Sequence, residues 1–171
     1  MPAVPLPLAR VAAAQGAVTR RVQVRHSPIH GHGVFAVKPL PAGSLVGPYT
    51  GRRYRPEALA ARPWDHALTY VFGLSDGSAI NGAEGGNATR YINHSCAPNC
   101  AAFELEDDDG HLWVEVQTLT RIAVGQELFI DYSLDTPQAS QAADLADGHD
   151  LYRCRCGAAL CRGTMAGDGL P

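Results

Sequence analysis

Apolar positions in this chain come in short runs, and most alternate with polar ones at the period of two that a half-buried strand requires. Val22–Arg25, Val34–Val37, Ser44–Tyr49 and Leu68–Leu74 each set β-branched or aromatic residues between turn formers, which predicts four strands. Phe103–Glu106 and Leu112–Gln117 alternate apolar with polar residues around Asp107-Asp108-Asp109-Gly110, and so predict a hairpin. Glu127–Tyr132 reads as a buried strand entered from a turn at Val124-Gly125. Only Pro56–Arg62, opening on proline and rich in Ala and Leu, has helical character. Thr136–Gly148 is polar and reads as a linker or a frayed helix. The pattern contains no internal repeat and predicts a mainly β protein of short strands with little helix.

Composition narrows the class. At 171 residues and 46% apolar content the chain is long enough for one globular domain with an ordinary core. Its net charge of −3 provides no basic field for a phosphate backbone, so direct nucleic-acid binding is not expected. No apolar run approaches the roughly 20 residues needed to cross a bilayer, so no membrane association is expected. Met1 to Arg21 is rich in Pro and Ala without a sustained apolar block, and reads as a solvated tail and not a secretory signal. The basic residues are thirteen Arg and a single Lys, Lys38, a bias that with the abundant Ala and Gly suits a GC-rich, bacterial genome, and the expected location is the cytoplasm. A nuclear protein or one exported to a host cell stays open as an alternative.

The cysteines carry the first candidate chemistry. Five thiols in a chain without a leader point to a reducing compartment, where thiols more often bind metal than pair as disulfides. Cys154, Cys156 and Cys161 offer three ligands within eight residues, and a tetrahedral ion wants a fourth. Either Cys96 or Cys100 can supply it. His30-Gly31-His32-Gly33 has two glycines that allow a ligand to lie against bare backbone, or else forms a solvated turn. Asn93-His94 lies between Ile92 and Cys96. There Asn can both donate and accept, and His94 is either a satisfied core histidine or a base for Cys96 in a thiol hydrolase. The acidic run Glu104, Glu106 and Asp107 to Asp109 is either solvated or able to steer a basic peptide.

Taken in order, these pieces resemble the SET-domain lysine methyltransferases. Gly31-His32-Gly33-Val34-Phe35-Ala36 resembles the family's first motif, Tyr49-Thr50-Gly51 its Tyr-x-Gly, and Tyr70-Val71-Phe72 its Tyr-x-Phe strand. Gly86-Asn87-Ala88-Thr89-Arg90 through Asn99 resembles the signature segment. Gly125-Gln126-Glu127-Leu128 through Asp131-Tyr132 resembles the catalytic strand. Cys154 to Gly163 is similar to the post-SET zinc knot.

The resemblance implies a β-clip fold with a pseudoknot, in which the Asn93-His94 segment threads under a loop, and a C-terminal zinc knot. It implies a flexible tail over 1–19, a SET domain over 20–135, a linker over 136–149 and a post-SET segment over 150–166. It also implies transfer of methyl groups from S-adenosylmethionine to lysine in a protein or peptide substrate, a histone tail or histone-like protein. A non-catalytic SET-like module that binds a basic peptide is the alternative. By position, Gly31, His32, Gly33, Tyr70, Arg90, Asn93, His94 and Met165 would hold the cofactor. Cys96, Cys154, Cys156 and Cys161 would bind Zn2+, leaving Cys100 packed. Tyr132 would be catalytic, with Tyr49 lining the lysine channel. The glycine-rich Asn81–Gly86 replaces the family's usual Asp-Ala segment and predicts a looser loop there. Ile130 stands where the family often has Phe or Tyr.

Overall fold

In a computed structural model, residues 17–61, 70–134 and 152–167 are described. Ten short strands follow one another as β1 (Val22–His26), β2 (His32–Ala36), β3 (Leu45–Tyr49), β4 (Arg52–Tyr54), β5 (Val71–Gly73), β6 (Ala79–Asn81), β7 (Asn93–His94), β8 (Cys100–Glu106), β9 (Leu112–Thr118) and β10 (Glu127–Ile130). The helix α1 (Pro56–Ala60) lies between β4 and β5, and a 3-10 turn, Ala88–Tyr91, leads into β7. The expected linker over 136–149, the tail before residue 17 and the first residues of the expected Leu68–Leu74 strand lie outside the described residues. Val18 and Thr19, assigned above to the tail, pack on β3. The Thr19 N–H donates to the Val46 carbonyl at 2.7 Å, and Val18 lies against Gly47.

Three small sheets form, with strand orders β1-β2-β10-β7, β3-β9-β8 and β4-β6-β5. The strongest local signal gives the longest pairing. β8 and β9 pair in register over seven residues, from Cys100 opposite Thr118 to Glu106 opposite Leu112. Their turn uses its acids as turn chemistry. The Asp107 carboxylate accepts from the Asp109 and His111 N–H groups at 3.0 and 2.8 Å, and Gly110 takes the left-handed φ of +79°.

Three strands have no alternating signal. β4 (Arg-Arg-Tyr), β6 (Ala-Ile-Asn) and β7 (Asn-His) are three residues or fewer, too short to show a period, and β4 and β7 are largely polar. Tertiary pairing, not propensity, makes them strands. β7 lies parallel to β10, with Asn93 beside Phe129 and His94 beside Ile130.

The main core is Val34, Ala36, Leu40, Val46, Ile92, Cys100, Val116, Ile122, Leu128 and Ile130. It gathers the inner faces of the first two sheets. Ile130 thus packs in this core, and Cys100 is fully buried, its thiol pushed up to about 12 by that burial. A second cluster, Tyr49, Leu74, Ile80 and Val114, joins the β4-β6-β5 sheet to the β3-β9-β8 sheet.

The glycine-rich segment Asn81–Gly86 is tight, contrary to the looser loop expected. The Gly82 N–H donates to the Tyr70 carbonyl at 2.8 Å. Glu84 holds Tyr54 Oη at 2.6 Å and Asn81 Nδ2 at 2.9 Å, and pairs with Arg52 at 3.4 Å. A Cβ on Gly82 would stand 2.7 Å from the Tyr49 hydroxyl, and one on Gly86 2.2 Å from the Gly82 carbonyl. Gly82 and Gly86 are glycine because neighbouring groups fill the space, whereas Gly85 is open and takes a left-handed φ of +74°.

Gly51 makes the same point between backbones, since a Cβ there would meet the Asn81 carbonyl oxygen at 2.2 Å. Gly51→Ala should therefore destabilise the fold by about 1–3 kcal/mol, the range for overpacking a fitted site. Thermal or denaturant unfolding of the variant beside wild type measures it.

Candidate functional site

The site forms where β7, the end of β10 and the 152–167 segment meet. Cys96, Cys154, Cys156 and Cys161 bring their four Sγ atoms within 4.8 Å of one another. Cys96 Sγ lies 3.7 Å from Cys154 Sγ and 3.9 Å from Cys161 Sγ. These distances are far beyond a disulfide bond. They match the edge of a tetrahedron with metal–sulfur bonds near 2.3 Å, roughly 3.8 Å. Backbone N–H groups point at the sulfurs from Cys156 to Cys154, Arg162 to Cys96 and Gly163 to Cys161, each at 3.4 Å. Such donors stabilise thiolates, so the four residues fit a metal ion. Of the two candidates for the fourth ligand, Cys96 joins the cluster and Cys100 stays in the core.

His94 joins this cluster to the end of β10. The Tyr132 N–H donates to His94 Nδ1 at 3.1 Å, so the ring proton sits on Nε2, which lies 3.3 Å from Cys96 Sγ. Burial lowers the His94 pKa and keeps the ring neutral. The contact has the reach of a base–thiol pair. Cys96, however, is already surrounded by other thiols and an amide donor, and His94 serves as an outer support for that cluster.

Asp131 fastens the 152–167 segment from the other side. Its carboxylate takes Arg162 Nη1 at 2.7 Å and Nη2 at 2.8 Å, a two-pronged pair. That pairing with Arg162 is the main reason the Asp131 pKa is lowered. Met165 sits in the same join: its N–H donates to the Tyr152 carbonyl at 2.7 Å, and its carbonyl accepts from Leu134 at 3.1 Å.

Aromatic residues line the neighbouring space. Tyr70 meets Tyr91 edge-on at 6.2 Å, Tyr91 meets His32 at 5.6 Å, Tyr49 meets Phe72 at 5.5 Å, and His94 meets Tyr132 at 5.4 Å. The Tyr132 hydroxyl donates to the Ile92 carbonyl at 2.9 Å, and the Tyr49 hydroxyl to the Tyr70 carbonyl at 2.7 Å. Each phenol has spent its only proton and presents lone pairs alone. Burial is the largest cause raising both phenol pKa values, with the neighbouring tyrosines adding to it.

Arg90 covers the face of Tyr91 at 4.6 Å and donates to the Gly82 carbonyl at 3.1 Å. Its guanidinium therefore organises the glycine-rich segment.

The Gly31–Gly33 loop differs from the bare backbone expected of it. Gly31 is open, with φ +46° and nothing within 4 Å of a built Cβ. At Gly33 that space is taken, because a Cβ would lie 2.0 Å from Glu127 Oε1. Gly33 is glycine to admit a carboxylate of the chain itself. Asn93 sits on the same group, its Nδ2 donating to Glu127 Oε1 at 2.8 Å and to the carbonyls of His32 and His30 at 3.0 and 3.3 Å.

Glu127, Ser27 and the Asp131–Arg162 pair carry no role in the reading from sequence. The available signal was a glutamate inside a strand otherwise assigned as buried, since an acid is rarely buried without a partner.

The SET domain family model matches residues 31–133, more than half of the chain. The chain is 31% identical over 151 residues to "Histone-lysine N-methyltransferase, H3 lysine-4 specific" of Mycosarcoma maydis, covering 84% of this chain and 10% of that protein. It is 32% identical over 145 residues to the human "Histone-lysine N-methyltransferase 2B", covering 82% of this chain and 5% of that protein. This chain thus spans a tenth or less of either relative. Among solved structures, a humanized mutant of the Chaetomium thermophilum Polycomb Repressive Complex 2 bound to an inhibitor matches with a TM-score of 0.59 at 27% identity, over 68% of this chain and 15% of that one. The family model begins at Gly31 and ends just past Tyr132, so it takes in β7, Cys96 and β10 but not the 152–167 segment, and the chain belongs to the SET-domain family.

Proposed function

We propose that this chain transfers methyl groups from S-adenosylmethionine to the side-chain amine of lysine in a protein substrate, a histone or histone-like protein. The observation that carries this reading is the pair of phenols, buried Tyr49 and partly buried Tyr132, both committed as donors to carbonyls and both left as acceptors.

Bound S-adenosylmethionine supplies a methyl group on a sulfonium, open to in-line displacement. The protein's part is alignment, which can be worth several orders of magnitude in rate. An attacking amine must be neutral, with its lone pair free and its N–H bonds held elsewhere. Two phenol oxygens that can only accept hold N–H bonds and leave the lone pair alone. Apolar walls penalise the ammonium form and lower the lysine pKa from its usual value near 10.4. Gly31, His32, Tyr70, Asn93, His94 and Met165 are assigned to the cofactor side, with Arg90 and Gly33 shaping that side through Gly82 and Glu127. The thiol cluster is assigned to a structural Zn2+, whose preference for four thiolates suits this all-cysteine set.

The alternative of a non-catalytic module binding a basic peptide has less support, because the Tyr132 hydroxyl is turned inward onto Ile92. Asp107 is engaged in its own turn, which weakens the case for peptide steering.

Three outcomes are expected. Tyr132→Phe should lower kcat by about 100-fold or more, since a misaligned amine costs at least that much. Mass spectrometry of histones and lysate proteins after incubation with labelled donor measures it, with Lys38, the chain's single lysine, as the one site for self-methylation on a lysine side chain. Undiminished transfer would remove Tyr132 from the mechanism.

The pH profile should keep rising through the ordinary tyrosine range. The lysine gains its neutral form as pH rises, while burial holds the Tyr132 proton well above the usual value of 10.0. A turnover near pH 10 without unfolding would contradict this.

Finally, Cys96, Cys154, Cys156 and Cys161 should resist alkylation in metal-loaded protein and react once a chelator has removed the ion. Immediate alkylation of Cys96 alone, with the metal still bound, would favour the thiol-hydrolase reading.

A further inference from the structure

Glu127 is 8% exposed, and its carboxylate has two protein partners. Ser27 Oγ donates to Oε2 at 3.0 Å, and Asn93 Nδ2 donates to Oε1 at 2.8 Å. Both donors are neutral. Among the described residues no Lys, Arg or His nitrogen comes within 4 Å of it. A buried carboxylate held by two neutral donors and no cation is costly, and buried charges are normally paired.

The surroundings make the site more negative. The carbonyl oxygens of His30 and His32 converge with Glu127 Oε1 on the one Asn93 amide nitrogen. That nitrogen is thereby fixed, so the orientation of the Asn93 amide is fixed as well. Its Oδ1 has no hydrogen-bond partner, yet no buried side-chain oxygen among the described residues lacks one. Asn93 Oδ1 must therefore reach open space, although the residue is 8% exposed. The structure thus gathers an anion and the two carbonyls that flank Gly31 around the Asn93 amide nitrogen, and leaves Asn93 Oδ1 an unpartnered acceptor, with no cation to match among the described residues.

We propose that Glu127 is a positioning residue that supplies the counter-charge for the α-ammonium group of the bound cofactor, and that it fixes the amide orientation of Asn93, already assigned to the cofactor side. This rests on the reading of the chain as an S-adenosylmethionine-dependent enzyme. Gly33 is part of the device, because any side chain there would displace the carboxylate.

The test is calorimetric binding to full-length, metal-loaded protein of two thioether ligands, S-adenosylhomocysteine and its analogue lacking the α-amino group. Wild type should prefer the amine-bearing ligand by about tenfold or more, the scale of one hydrogen-bonded charge. Glu127→Gln keeps the shape and a hydrogen-bonding oxygen but removes the charge. It should bind S-adenosylhomocysteine about tenfold more weakly and the deaminated analogue within about twofold of wild type. Equal losses for both ligands would show a merely structural role, and no loss for either would remove Glu127 from recognition; each result overturns the proposal.

If Glu127→Gln does not fold, Ser27→Ala takes its place. Losing one neutral donor should strengthen the carboxylate's pull and widen the preference for the amine, whereas an unchanged or narrowed preference overturns the proposal. Wild type that binds neither ligand would defeat the cofactor reading itself. Wild type that binds both equally would defeat only the inference.

Discussion

Everything in the site depends on two residues of strand. β7 is Asn93 and His94 alone, laid parallel to β10. A two-residue parallel pairing has few backbone hydrogen bonds of its own, and the chain supplements them with side chains that imitate peptide groups. The Asn99 amide does this most directly. Its Nδ2 donates to the Glu127 carbonyl at 2.8 Å, and its Oδ1 accepts from the Phe129 N–H at 2.8 Å. His94 Nδ1 accepts from the Tyr132 N–H, and the Ser95 N–H donates to the Ile130 carbonyl at 3.0 Å. Each such bond contributes about 1 kcal/mol, and together they hold a segment that strand propensity would leave loose.

That docking brings three kinds of chemistry together. Asn93 faces the Gly31–Gly33 loop and Glu127, His94 stands behind Tyr132, and Cys96 reaches the C-terminal thiols. The polar groups on one short stretch of chain thus meet three unrelated partners: a buried carboxylate, a tyrosine and a cluster of thiols. None could be replaced by an apolar residue without orphaning a buried partner, which explains so much polarity between the core residues Ile92 and Cys100.

The parts of the fold legible in the sequence are those governed by local rules. The β8–β9 hairpin follows from alternation and an Asp-Asp-Asp-Gly turn, and α1 from its opening proline. β4, β6 and β7 were hidden because their pairing is decided by partners far along the chain. At the site, the thiols were legible because their spacing has few other uses. Gly33 and Gly82 were harder to read. A glycine that admits a neighbouring group looks, in one dimension, the same as a glycine that frees the backbone. The neighbours concerned, Glu127 and Tyr49, are distant in sequence. Glu127 is illegible in one dimension for the same reason: its partners Ser27 and Asn93 lie 100 and 34 positions away.

An ion held by the thiol cluster would also act on the unfolded chain. Cys96 and Cys154 are separated by 58 positions, so an ion shared between them closes a ring of that size. A cross-link over such a span removes about 4 kcal/mol of chain freedom from the denatured ensemble. For a domain of marginal stability this is a large fraction of the whole. Metal supply would then govern how much folded protein exists at all, before it governs how well any one molecule works.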